Sequence, residues 1–142
     1  MNTTERSLDF YIGNCFANLH NNEFEFPSEL LEVYDKRGNG DFVSYQCFFY
    51  LTKYGKIVEM FDPQAIVPII DKHNYAGQLI VRNQDITVLP KNIIKELSLT
   101  DGVILEGDHH LINLWNPRDF AKYEADNESN FERVISTFLP KR

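Results

Sequence analysis

Ile57-Val58-Glu59-Met60-Phe61-Asp62-Pro63 and Leu111-Ile112-Asn113-Leu114-Trp115-Asn116-Pro117 are two versions of one tract. Each reads as a strand that delivers the chain into a helix. Asp and Asn are favoured N-caps, and Pro is favoured at the first helical position. A second pair of anchors lies upstream. Gly13 through Phe24-Glu25-Phe26-Pro27 is echoed by Gly77 through Thr87-Val88-Leu89-Pro90. Both pairs occur in the same order, and ordered recurrence of this kind is the mark of an internal duplication.

Working outward, each copy resolves into the same elements. The first opens with a strand from Tyr11 to Leu19, a polar turn at His20-Asn21-Asn22, and a short strand Phe24-Glu25-Phe26 that alternates with period two. Pro27 ends it, and Ser28 to Tyr34 has helical spacing. Lys36-Arg37-Gly38-Asn39-Gly40 is a turn by composition. Strands Phe42 to Leu51 and Lys56 to Phe61 follow, joined near Tyr54-Gly55, and a helix should begin at Pro63 and run through Ile70. Pro68 should shorten or distort it.

In the second copy the strands are Gln78 to Arg82 and Ile86 to Leu89 around the turn Asn83-Gln84-Asp85. A helix spans Pro90 to Leu97. The strand Gly102 to Glu106 turns at Gly107-Asp108 and returns as Leu111 to Trp115. Asn116-Pro117 starts a helix carrying Phe120 and Tyr123, and a closing amphipathic helix places Phe131, Val134, Ile135, Phe138 and Leu139 on one face. The expected organisation is an N-terminal segment 1–10, repeat one over 11–76, repeat two over 77–125 and a C-terminal helix over 126–142. Each half is too small to bury its hairpins alone, so the two should interleave around one core as an α+β domain of tandem β-β-α-β-β-α repeats.

Composition bounds the function. In 142 residues, 43% hydrophobic and 13% aromatic content is enough for a core without staples. Cys15 and Cys47 have no spacing that points to a disulfide framework or a metal knuckle, and reduced, partly buried thiols are expected. The polar start, Met1 to Asp9, lacks the apolar run of a signal peptide, and no run approaches a membrane span. A cytoplasmic protein is expected. A net charge of −7 argues against a surface that grips nucleic acid everywhere, while leaving room for a small basic face.

Gly77 to Tyr123 resembles the second half of the MraZ proteins, a branch of the AbrB-like DNA-binding proteins. The similarity is carried by Val88-Leu89-Pro90 with its following helix, the run Gly102-Val103-Ile104-Leu105-Glu106-Gly107, and the tract Leu111 to Pro117. Tyr11 to Pro63 looks like the other MraZ repeat. The resemblance implies a pseudo-twofold swapped-hairpin barrel, assembly into ring-like homo-oligomers, and transcription regulation by binding repeated promoter sites, with nucleoid association. Two departures accompany it. The family's Asp-x-x-x-Arg hairpin motif is absent in both repeats, with Glu23 and Ile86 or Asp85 where the arginines would fall. The connection between Pro63 and Pro90 is also too short for the helix that the family usually carries there.

On the DNA-binding reading, the hairpin turns reach the bases through Asn21, Asn22, Arg82, Asn83 and Gln84. Arg pairs with guanine, and Asn or Gln with adenine, in bidentate fashion. On the other reading, these Asn and Gln residues serve tight turns, and the protein is an oligomeric interaction module that kept the fold and lost the DNA. The pair His109-His110 points to opposite faces of a strand and suits a hairpin turn better than a metal site. Trp115 is expected in the core or an interface. Glu23 and Glu25 share one strand face, but no base, nucleophile or pocket signature accompanies them and no phosphate-cradling glycine loop is found, so neither an enzyme nor a cofactor is expected.

Overall fold

The computed structural model describes residues 11–28, 30, 42–63, 74–82 and 86–138, with side chains through residue 127 in the last span. The strands are β1 (Asn14–Asn18), β2 (Glu23–Glu25), β3 (Phe42–Thr52), β4 (Gly55–Phe61), β5 (Tyr75–Arg82), β6 (Ile86–Val88), β7 (Gly102–Asp108) and β8 (Leu111–Trp115). Among the described residues two helices are traced in full, α1 (Lys91–Glu96) and α2 (Pro117–Phe138). The fold is α+β and mostly antiparallel sheet, curled into a half-barrel. Strand order in the large sheet is β1-β7-β8-β4-β3-β5, and β2 pairs with β6 in a separate ribbon.

Period-two alternation places the core. Val43, Tyr45 and Cys47 of β3 face inward with Ala76, Leu79 and Val81 of β5, and all are buried. Leu89, just before α1, and Ile93, within it, close the same cluster. Tyr11 is buried with them. Its hydroxyl donates to Asp62 Oδ2 at 2.6 Å and lies 3.4 Å from the Tyr45 hydroxyl. Burial, then the neighbouring Tyr45 and Asp62, hold that phenol far above its ordinary range, so it stays a donor. A second cluster, Ile57, Trp115 and Phe120, forms on the outer face where α2 packs against the sheet, with Ile104 of β7 beside it. This double coverage explains why Ile112, Asn113, Leu114 and Trp115 are buried in succession.

Helix ends are closed by identifiable groups. The Ser98 N–H bonds to Lys95 O and the Leu99 N–H to Ile94 O, the paired bonds of a Schellman motif, with Ser98 at φ 53. Asn116 then serves both helices. Its Oδ1 accepts from the Arg118 N–H at 2.8 Å, and its Nδ2 donates to the carbonyls of Leu97 and Ser98.

Several expectations shift. The helix expected after Asn116-Pro117 and the closing helix beyond it are one continuous helix, α2. The β7–β8 turn lies at His109-His110 rather than Gly107-Asp108, with His109 at φ 58. The first strand begins at Asn14, because Gly13 at φ 90 bends the chain before it. Of the helix expected over 28–34, Ser28 and Leu30 are helical and the remainder lies outside the described residues. The helix expected after Pro63, the turn 36–40, the segment 1–10 and residues 139–142 also lie outside them. Among the described residues, no helix is long and apolar enough to cross a membrane.

Candidate functional site

The first hairpin turn is a two-residue loop closed by reciprocal bonds, His20 N–H to Glu23 O and Glu23 N–H to His20 O, both 2.9 Å. Asn21 and Asn22 have φ 51 and 71. Positive φ at both central positions is what a primed hairpin turn requires, and Asn tolerates it better than most residues. Asn21 is exposed. Asn22 is half-buried, and its carbonyl accepts the Leu89 N–H at 2.7 Å, tying this turn to the other hairpin. Arg82 is exposed at the end of β5, with its guanidinium 5.4 Å from the centre of the Phe42 ring. Asn83 and Gln84 lie outside the described residues.

Antiparallel pairing of β2 with β6 joins the hairpins in one ribbon. Glu23 pairs with Val88, Phe24 with Thr87 and Glu25 with Ile86. Phe24 and Thr87 point into the core, while Glu23, Glu25, Ile86 and Val88 form the outer face. The ribbon is three residues long, so about 10 Å separates its ends. Its outer face is acidic and aliphatic. Beside it, Phe16, His20, Glu23, Glu25 and Ile86 line a groove of ≈ 420 Å³.

A larger groove, ≈ 630 Å³, opens on the outer face of the sheet above β4, β8 and β7. Its polar floor is the row Glu59, Asn113 and Glu106, which cross-strand pairing sets side by side. Glu106 Oε1 accepts from Asn113 Nδ2 at 3.1 Å and from the Trp115 indole N–H at 3.0 Å. Burial, and then Asp108, push the Glu59 carboxyl above the ordinary range. Trp115, expected as a core or interface residue, is buried, stacked on Tyr123 at 5.0 Å, and also lines this groove. Sequence reading passed over Glu59 and Asn113, although each is a lone polar residue in the middle of an apolar tract.

Other chemistry is constrained. Cys47 is buried, which pushes its thiol up to about 12 and leaves it unreactive at neutral pH. Cys15, on β1, is half-buried. His109 Nδ1 lies 3.3 Å from Asp108 Oδ1 in the β7–β8 turn. Among the described residues, no group of three or more His, Cys, Asp and Glu is placed to hold a metal ion. No protein-family model matches the chain, and comparison with curated proteins also gives no match.

Proposed function

We propose that the chain is a MraZ-like DNA-binding transcriptional regulator, built from two ββαββα repeats in a pseudo-twofold swapped-hairpin barrel and acting as an oligomer through its hairpin ribbon. The observation that carries this reading is the symmetry of strand pairing. Aligning the two tracts makes Val58 equivalent to Ile112, Glu59 to Asn113 and Met60 to Leu114. Exchanging equivalents converts the pair Val58–Leu114 into Met60–Ile112, which is also a pair, and maps Glu59–Asn113 onto itself. The ribbon behaves likewise. With Pro27 aligned to Pro90, Phe24–Thr87 maps onto itself and Glu23–Val88 becomes Glu25–Ile86. The same exchange reverses the order of the six-stranded sheet into itself.

The pairings also cross between copies. β1 of the first pairs with β7 of the second, and β5 of the second pairs with β3 of the first. That exchange supports a swapped-hairpin arrangement over two fused but independent units. Gly13 and Gly77, the paired anchors at the start of each copy, both adopt positive φ, 90 and 114. Symmetry is imperfect at β3, which is 11 residues long against 7 for β7 and carries a register shift between Cys47 and Phe48.

For DNA, a two-stranded ribbon fits the major groove, which is about 12 Å wide. Asn21 and Arg82 are the exposed candidate contacts among the described residues. Self-association follows from the outer strands. β1 and β5 are the margins of the six-stranded sheet and leave Phe16 and Ile80 exposed. The deciding measurement is binding to the chain's own upstream DNA at low and moderate salt, beside a mass determination by light scattering. Arg82→Ala should weaken binding and reduce the salt slope by about one unit, as loss of one phosphate contact does. Equal isotherms for Arg82→Ala and the wild type across the salt series would remove Arg82 from the interface. No binding even at low salt would remove the regulator.

A second reading is favoured by one observation. The outer face of the ribbon presents Glu23 and Glu25, which repel phosphate. On this reading the protein is an oligomeric interaction module that retains the fold, and the DNA experiment separates the two directly.

A further inference from the structure

The first hairpin opens into a wedge. His20 and Glu23 exchange both main-chain bonds, but beyond them β2 turns away from β1 to pair with β6. On its other side β1 is bonded to β7, with the Gly107 N–H donating to Gly13 O and the Leu19 N–H to Asp101 O. Antiparallel bonds fall on alternate residues, so positions 13, 15, 17 and 19 serve the β7 side. The N–H and C=O groups of Asn14, Phe16 and Asn18 therefore point into the wedge. β1 is a margin of the six-stranded sheet, and among the described residues no strand pairs with this side of it. The opposite wall obeys the same alternation. Asn22 O accepts from the Leu89 N–H, so the even positions of β2 face β6 and the main chain of Glu25 faces β1. The groove of ≈ 420 Å³ beside the ribbon is this wedge, and it lies between two open strand edges.

An open edge accepts an extended main chain, whose donors and acceptors recur at the same spacing. The side chains around it set which extended chain fits. Glu23 and Glu25 line the groove and are exposed, and no Lys or Arg lines it with them. Phe16 and Ile86 supply the apolar part, 54% and 47% exposed. The Phe16 ring is held in place, because it lies across Gly102 of β7 where any side chain would collide with it. The complement is a segment that alternates basic with apolar residues. Its main chain bonds to Asn14, Phe16 and Asn18, its cations meet the two carboxylates, and its apolar side chains rest on Phe16 and Ile86. β1 has 5 residues, so a segment about 17 Å long fills the edge. A second copy docking through its own β1 would bring two sets of Glu23 and Glu25 together, which opposes that pairing and leaves β5 as the margin for self-association.

We propose that the outer edge of β1 is a docking site for an extended, alternately basic and apolar segment of a partner protein, which adds to the sheet as a further strand. The site uses the wedge between β1 and β2 and does not depend on whether the ribbon contacts DNA.

The test titrates the full chain, by fluorescence anisotropy at physiological salt, with a labelled peptide of four Val-Lys repeats. The same peptide N-methylated at every residue keeps the charge and loses every main-chain donor. It measures the general attraction of a cation to a protein of net charge −7. Four Val-Glu repeats reverse the charge. The expected result is saturable binding of the first peptide, at least tenfold tighter than either control, with slowed amide hydrogen exchange at Asn14, Phe16 and Asn18. Glu23→Gln with Glu25→Gln should weaken it at least fivefold. Asn18→Pro removes one outward N–H without touching the bonds to β7, a position where an edge strand tolerates proline, and should weaken it at least tenfold. If that variant fails to fold, the peptide comparison and the exchange rates of the wild-type chain decide. Equal affinity for the N-methylated peptide, or wild-type affinity in the Asn18→Pro or the paired Gln variant, overturns the proposal. Slow exchange of the three amides in the chain alone, with a dimer mass by light scattering, assigns the edge to a second copy and overturns it as well.

Discussion

Replacing Thr87 with Val should stabilise the protein. Thr87 sits at the centre of the hairpin ribbon, opposite Phe24, with 0% of its surface exposed. Its Oγ1 is buried and has no hydrogen-bond partner. An unpaired buried hydroxyl costs about 1–3 kcal/mol in lost hydration. Val keeps the β-branched shape and strand preference while exchanging the hydroxyl for a methyl of similar size. Because Phe24 and the surrounding core already fill the space, about 1–2 kcal/mol should remain as net gain. With a urea slope of about 1–3 kcal/mol per molar, the midpoint should rise by roughly 0.5–1 M at unchanged slope. Thr87→Ser supplies the opposite case. It keeps the hydroxyl, loses the methyl and should cost about 1 kcal/mol. A Thr87→Val midpoint below the wild type would mean that the hydroxyl is paired in solution, and the reasoning about this position would fail.

Other outcomes follow from the same structure. Tyr11→Phe removes the 2.6 Å bond to the buried Asp62 carboxylate and should cost about 1.5–3 kcal/mol in urea unfolding; a loss below about 0.5 kcal/mol would contradict that bond's role. Ser98→Gly relieves a left-handed residue at the end of α1 and should add about 0.5–1 kcal/mol, read as a melting temperature higher by about 2–4 °C. Glu59→Gln concerns pH. The folded state raises this carboxyl's pKa, so the wild type binds its proton more tightly when folded. That stabilising contribution is complete below the ordinary carboxylate range and is lost as pH rises through the folded value. The amide variant should therefore gain on the wild type between pH 4 and pH 7, and an advantage that shrinks over that interval would contradict the assignment.

Much of the fold was legible because its signals are local. Asn116-Pro117 marked the start of a helix, and the structure adds that Asn116 also binds the end of α1. Asn21-Asn22 marked a turn, and both residues take the positive φ that such a turn demands. The failures are equally physical. Glu124 to Asn130 lacks apolar periodicity and reads as a gap, yet it contains no Gly or Pro, and helix propagation past a formed turn is inexpensive, so α2 continues. Strand partners were beyond reach for another reason. β1 pairs with β7 across most of the chain, and period-two alternation fixes which face is buried without saying what lies alongside. The groove was hidden for the same cause, since Glu59, Asn113 and Glu106 meet only through two such pairings.

This separation governs how the hairpin residues should be weighed. Asn21 and Asn22 are required by backbone geometry whether or not DNA is present, so their identity carries no information about a base contact. Arg82 is different. The end of a strand does not demand an arginine, and its position over Phe42 holds the guanidinium without an acidic partner among the described residues. Glu23 and Glu25 are likewise unconstrained by the fold, because they point outward while Phe24 supplies the buried contact. The informative residues on the ribbon are therefore one cation at its margin and two anions on its face. If the protein binds DNA with Glu23 and Glu25 held away from the phosphates, Glu23→Gln with Glu25→Gln should leave affinity nearly unchanged. If they face the phosphates, removing two like charges should strengthen binding several-fold and make it more sensitive to salt.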